Sequence, residues 1–172
     1  MADLQALTSI RAGILERIAG AAARAGRDPA FVEIVAVSKT VPADRIRAAL
    51  DAGFTTFAEN RVQERAGKAG EIPGGRWHLV GPLQTNKVRK AIELFDVVET
   101  VDSLDLAQRL SRIAGELRPG TPLPVLLQVN VDDDPAKAGF DPPALERDLP
   151  AILDLAGISV GGLMTVGRLV ET

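Results

Sequence analysis

The side chain best suited to covalent chemistry in this sequence is Lys39, which closes the apolar run of AVSKT ahead of a helix opened by Pro42. Alternate residues of a strand share a face, so Val35, Val37 and Lys39 are expected to point the same way. An amine beside two valines loses hydration, which lowers its pKa and favours the neutral nucleophile. The competing account is that lysines, strand-end ones included, are mostly solvated charges. His78, in RWHLVG, faces away from Trp77 and Leu79 on the same periodicity. It is either a hydrogen-bonded core histidine or, near a barrel mouth, a ring laid against a planar aromatic ligand. Glu59, Asn60 and Gln63 cluster where a strand gives way to a helix, and without a ligand the expected role of Asn60 there is helix capping. Gln128 and Asn130 lie in a strand that is otherwise apolar, and Met164 and Thr165 end the last strand.

These residues need elements to position them. In residues 2 to 25, Leu4, Leu7, Ile10, Ile14, Leu15 and Ile18 recur at the spacing of an amphipathic helix. Beyond it, short β-branched runs alternate with helical stretches: FVEIVAVSK with PADRIRAALDAG, FTTFAEN with a polar helix, and RWHLVG with QTNKVRKAIELF. DVVETV with SLDLAQRLSRIAGELRPG, LPVLLQVNV with PPALERDLPAILDLAG, and ISVGGLMTVG complete six βα-like units without a linker. Runs apolar on both faces suit parallel strands covered by helices, so the class is α/β, either a barrel or a doubly wound sheet. Residues 1–172 read as a single domain. Lys39, Asn60, His78, Asn130, Met164 and Thr165 all fall toward strand C-terminal ends, the rim on which barrels build their sites.

Composition narrows the function. Twenty basic against 23 acidic residues give a net charge of −3, which suggests neither nucleic acid nor a membrane surface as partner. There is no cysteine and one histidine, which removes thiolate and histidine-rich metal sites. Asp132, Asp133 and Asp134 start like a calcium loop but lack its glycine and closing glutamate spacing, so no metal is expected. Lys87, Arg89 and Lys90 read as the solvated side of a helix. The N-terminus has interspersed charges and no long apolar core, hence no signal peptide or membrane span, and a cytoplasmic location is expected.

Taken together, AVSKT, AENRVQE, WHLVGPLQTNK, QVNV, KAGF and GLMTVG resemble, in identity, order and spacing, the YggS/PROSC family of pyridoxal 5′-phosphate (PLP) homeostasis proteins. The likeness covers essentially everything after the first helix, and WHLVGPLQTNK is its most specific piece. It implies a TIM-type (β/α)8 barrel similar to the alanine racemase N-terminal domain, with PLP as cofactor held as a Schiff base on Lys39. It further implies Asn60 near the cofactor ring, His78 packing beside it, Met164 in the pocket wall and Lys137 near the mouth, although a solvated loop lysine accounts for Lys137 equally well. Members of this family are regarded as non-catalytic buffers of PLP or carriers of it to PLP-requiring apo-enzymes, and as monomers at full length. The sequence agrees with that absence of catalysis: a PLP racemase needs a second acid/base group on the opposite ring face, and this chain has no tyrosine.

The sequence departs from the family in one respect. A closed barrel takes eight strands and about 250 residues, whereas six units are counted here, and Arg168 to Thr172 reads as the start of a helix cut short. The expectation is a C-terminally truncated chain. The resemblance places the phosphate-holding serine-glycine turn and arginine-glycine segment in the absent region. Gly161-Gly162 lies inside the sixth strand and is expected to permit close packing. Three other functions stay open: a PLP-dependent racemase-like enzyme, an aldolase-type lyase using Lys39 without cofactor, and a non-catalytic interaction module.

Overall fold

The computed structural model describes residues 2–167, so the expected helix start at 168–172 lies outside the described residues. Helix α1 (Ala2–Arg24) precedes an alternating series of β1 (Val35–Val37), α2 (Ala43–Asp51), β2 (Thr56–Glu59), α3 (Val62–Lys68), β3 (Arg76–Leu79) and α4 (Val88–Leu94). The series continues through β4 (Val97–Val101), α5 (Leu104–Leu117), β5 (Leu123–Gln128), α6 (Pro142–Leu153) and β6 (Ile158–Met164).

The six strands form one sheet in the order β1-β2-β3-β4-β5-β6, and every neighbouring pair is parallel. This order decides between the two expected architectures. A doubly wound sheet reverses its strand order at a switch point. An order that never reverses, joined by crossovers of the usual right hand, puts every connecting helix on one face and curls the sheet into the arc of a TIM-type barrel.

The register assigns the faces. Ala58, His78 and Val97 are laterally aligned, as are Glu59, Leu79 and Val98. The helix-facing set carries the main core: Phe57, Trp77, Leu79, Val98 and Leu127 are buried among Ile46, Leu110, Ile113 and Ile152 of the helices. Phe57 and Trp77 stack at 5.4 Å between ring centroids. Helix α5 shows how sequence produces this layer. The Ser103 hydroxyl accepts from the Leu106 N–H at its start, and Leu106, Ala107, Leu110, Ile113 and Ala114 bury one stripe. The sheet is more open at both ends, with Val37 51% exposed on the inner face and Leu163, beside Leu127 in the register and so on the helix-facing side, 65% exposed.

Three expectations need correction. The stripe of α1 is narrower than its periodicity suggests: Leu7, Ile14, Ile18 and Ala22 turn inward, while Leu4, Ile10 and Leu15 are exposed, because α1 packs against α2 along a single seam. The first strand is three residues long, since Pro29–Phe31 forms a 3₁₀ turn capped by Asp28. Gly161-Gly162 is no close-packing device. A Cβ at Gly161 would stand 3.6 Å from Leu126, an ordinary distance. The pair instead lies where the β5–β6 register slips between Val125 and Leu126, and Gly162 takes φ +153°.

Candidate functional site

The C-terminal ends of the strands are tied to one another. The Ser38 N–H donates to Ala58 O at 2.8 Å and the Val80 N–H to Glu59 O at 3.0 Å. The Thr100 hydroxyl donates to Gly81 O at 2.8 Å. Across β5 and β6, the Val129 N–H reaches Met164 O and the Thr165 hydroxyl reaches Val129 O, both at 2.9 Å. Gly81 is required here: a Cβ on it would lie 2.1 Å from Asn60 O, so only glycine lets the loops after β2 and β3 touch.

Lys39 lies in the turn after β1. It is exposed, and its amine makes no hydrogen bond or ion pair with the described residues. The desolvation expected from its valines is absent, because Val35 is only half-buried and Val37 is exposed. Asn60 is half-buried at the end of β2. It does not cap α3: the capping position is Arg61, and no side-chain hydrogen bond closes that helix start. Asn60 instead lines a cavity of about 190 Å³ with Gln128, Asn130, Lys137, Gly81 and Val166. Met164 is half-buried beside Gln128 in the register. Lys39, His78 and Met164 stand outside that cavity's lining.

His78 is 6% exposed on the inner face. Its Nδ1 lies 2.6 Å from Glu99 Oε1, and its Nε2 is buried without a partner. It is the hydrogen-bonded core histidine of the first expectation, with one ring nitrogen left over. With Glu99 ionised, Nδ1 donates, which leaves Nε2 to serve a further group. Lys137 corrects the solvated-loop account. Its ammonium donates to Asp132 Oδ2 and to Val166 O, each at 2.9 Å, and so joins the loops after β5 and β6.

Behind the rim, on the helix side, is a polar group of which sequence reasoning singled out only Glu59. Glu59 is fully buried, and its Oε1 accepts from the Ser38 hydroxyl at 2.8 Å and from Lys68 Nζ at 2.7 Å. Lys68 also donates to Ser38 O at 2.9 Å. Burial holds the Glu64 carboxyl above its ordinary pKa, and its hydrogen bond to Glu59 and that residue's charge add to the rise, against Arg61 and Lys68. The Arg65 guanidinium sits 4.2 Å over the Trp77 ring, and its own burial lowers its pKa. A glutamate inside an apolar strand, as in FTTFAE, and another in VVETV were the available signals for Glu59 and Glu99. Nothing in the sequence pairs Lys68 with either. No cluster of three metal-ligating side chains occurs among the described residues, and none of their helices is long and apolar enough to cross a membrane.

Comparison with known proteins agrees with this geometry. The family model "Alanine racemase, N-terminal domain" matches residues 14–171. The chain is 44% identical over 159 residues to the pyridoxal phosphate homeostasis protein of Pseudomonas aeruginosa, covering 90% of this chain and 67% of that protein. Among solved structures, PipY of Synechococcus elongatus with PLP bound superposes with a TM-score of 0.77 at 45% identity, over 92% of this chain and 73% of that one. An alanine racemase of Clostridium difficile superposes with a TM-score of 0.65 at 18% identity, over 78% of this chain and 35% of that one, a likeness of fold alone.

Proposed function

We propose, for a chain that belongs to the pyridoxal phosphate homeostasis family and carries the fold of the alanine racemase N-terminal domain, that it binds PLP through Lys39 and stores or delivers it. The observation that carries this reading is the contrast between the two rim lysines. The Lys137 ammonium is tied to a carboxylate and a carbonyl, whereas the Lys39 amine is unpaired among the described residues and accessible. One feature of the inner face suits the cofactor, apart from the cavity of about 190 Å³ at Asn60, whose lining takes in none of Lys39, His78 and Met164. The orphaned Nε2 of His78, buried on the inner face, can serve a polar or aromatic group placed there.

When bound, PLP supplies an aldehyde that an amine can attack and a ring that withdraws electrons. The residues have separate tasks. Lys39 would hold the cofactor, its amine being the nucleophile for that aldehyde. Asn60 would offer an amide to ring substituents, His78, its imidazole fixed by Glu99, would lie beside the ring, and Met164 would close the β6 side. The reading extends to a single PLP-binding domain over residues 1–172, to a cytoplasmic location, to PLP-requiring apo-enzymes as recipients and to an absence of robust catalysis. In support of the last, the relatives carry homeostasis names, and a chain without tyrosine has no phenol to set opposite Lys39.

The test is absorbance of the purified chain mixed with PLP, followed by borohydride reduction and peptide mass mapping, beside Lys39→Ala. A visible band that borohydride abolishes, with the pyridoxyl group on Lys39 and none in the variant, is the expected result. Identical labelling of both proteins would overturn the reading. Exchange of the α-proton of alanine well above that given by free PLP would instead favour a racemase-like enzyme.

A further inference from the structure

We infer that Glu59 and Lys68 are positioning residues for Lys39, holding from the far side of the sheet the turn that presents its amine at the rim. The inference rests on the reading of Lys39 as the PLP-bearing lysine. The turn itself is poorly suited to holding its shape. Lys39 is exposed and makes no bond of its own, and Thr40 takes φ +61°, a region that a β-branched residue enters only under constraint. Val41 packs against the core beyond it, and the hydrogen bonds that fix it among the described residues run through Ser38. The Ser38 N–H donates to Ala58 O at 2.8 Å, and its carbonyl accepts from the Val41 N–H at 3.0 Å. Its hydroxyl reaches Ala58 O at 3.2 Å and Glu59 Oε1 at 2.8 Å, and Lys68 Nζ clamps both Ser38 O and Glu59 Oε1.

The clamp is out of water: the side chain of Lys68 is 15% exposed and that of Glu59 not at all. Charged hydrogen bonds in such surroundings are strong and geometrically demanding. Ser38 turns its hydroxyl to Glu59 on the helix side, and Lys39 follows it as the first residue of the turn. A fixed Ser38 therefore fixes where that turn starts without any contact between the clamp and the cofactor. A fully buried glutamate has a bland alternative role as a helix-to-sheet staple, so the test must read the turn and not the stability alone.

Two readouts are taken on Lys68→Met, Lys68→Arg and the double variant Glu59→Gln/Lys68→Met. The double variant removes the buried carboxylate as well, so that folding does not suffer from an unpaired charge. The first readout is amide hydrogen exchange of a peptide spanning residues 36–43 in the absence of PLP. The second is the PLP concentration that half-saturates borohydride labelling of Lys39. Both variants lacking the ammonium are expected to exchange about tenfold faster in that peptide and to need about tenfold more PLP, the loss of a charged hydrogen bond. Lys68→Arg, which keeps donors for both acceptors, should stay within about twofold of the wild type. A folded double variant with wild-type exchange and wild-type labelling overturns the inference. If the wild type itself is not labelled at Lys39, the PLP reading falls, and exchange alone decides whether the clamp orders the turn.

Discussion

Two residues make the sharpest demands on the surroundings that the fold provides. His78 gives one ring nitrogen to Glu99 and leaves the other buried and unpaired. Replacing Glu99 by alanine would leave both nitrogens without a protein partner, a loss of about 1–3 kcal/mol. Urea unfolding of Glu99→Ala against wild type measures it, and an unchanged midpoint would mean that the contact contributes nothing. Glu64 contributes a pH dependence of its own. Its carboxyl is held above the ordinary value, first by burial and then by Glu59, while Arg61 and Lys68 pull it down. A folded-state pKa above the unfolded one means that the native state binds the proton more tightly. Glu64 therefore contributes stability that is fully present below the unfolded value of 4.5 and is lost as pH rises through the higher folded value. Glu64→Gln, which cannot ionise, should flatten that part of the stability curve and gain relative to wild type as pH rises toward neutrality. Thermal melts across pH 4–8 test this, and parallel curves for the two proteins would refute it.

At the scale of elements, the sequence was readable wherever burial is periodic. The alternation of FTTFAEN, RWHLVG, DVVETV and LPVLLQVNV with helical stretches places β2 to β5 within a few residues, and one-face alternation separates His78 from Trp77 and Leu79. It was unreadable wherever the outcome depends on contacts between distant segments. Asn60 has the composition of a helix cap yet lines a cavity, because the loop after β3 is pressed against its backbone. The half-exposure of Lys39's valines depends on where the sheet ends, and the Glu59–Lys68–Ser38 clamp on how α3 lies over β1 and β2; neither has a signature in local spacing. Gly81 makes this point testable. With a Cβ only 2.1 Å from Asn60 O, Gly81→Ala must part the two loops, at a cost of about 3 kcal/mol or more. It should weaken PLP labelling of Lys39 even where the variant is folded. A variant that melts and labels like wild type would show that the contact is not required.

At the scale of the whole molecule, the sheet is an arc with two free edges. Among the described residues no strand lies beyond β1 or beyond β6. Each edge presents backbone donors and acceptors without a ladder partner, and an exposed apolar side chain stands beside each, Val37 (51%) on the inner face and Leu163 (65%) on the helix-facing side. Natural edge strands usually escape pairing through charges, bulges or cover. The register slip at Gly161-Gly162 twists β6 to some extent, but that strand, ISVGGLM, has no charged residue. The 172-residue chain in isolation should therefore associate through β6, β1 or both, and its unfolding should broaden on dilution. Sedimentation velocity over a hundredfold range of concentration is the measurement. The sedimentation coefficient of the wild type should rise with concentration, whereas Leu163→Lys, which sets a charge on the open face next to the edge, should stay monomeric. A wild-type chain that remains monomeric throughout and melts in one sharp transition when dilute would show that the arc is self-sufficient. Exposure of β1 and β6 would then be a tolerated feature of the fold, leaving the rim that carries Lys39 open to solvent and to incoming cofactor.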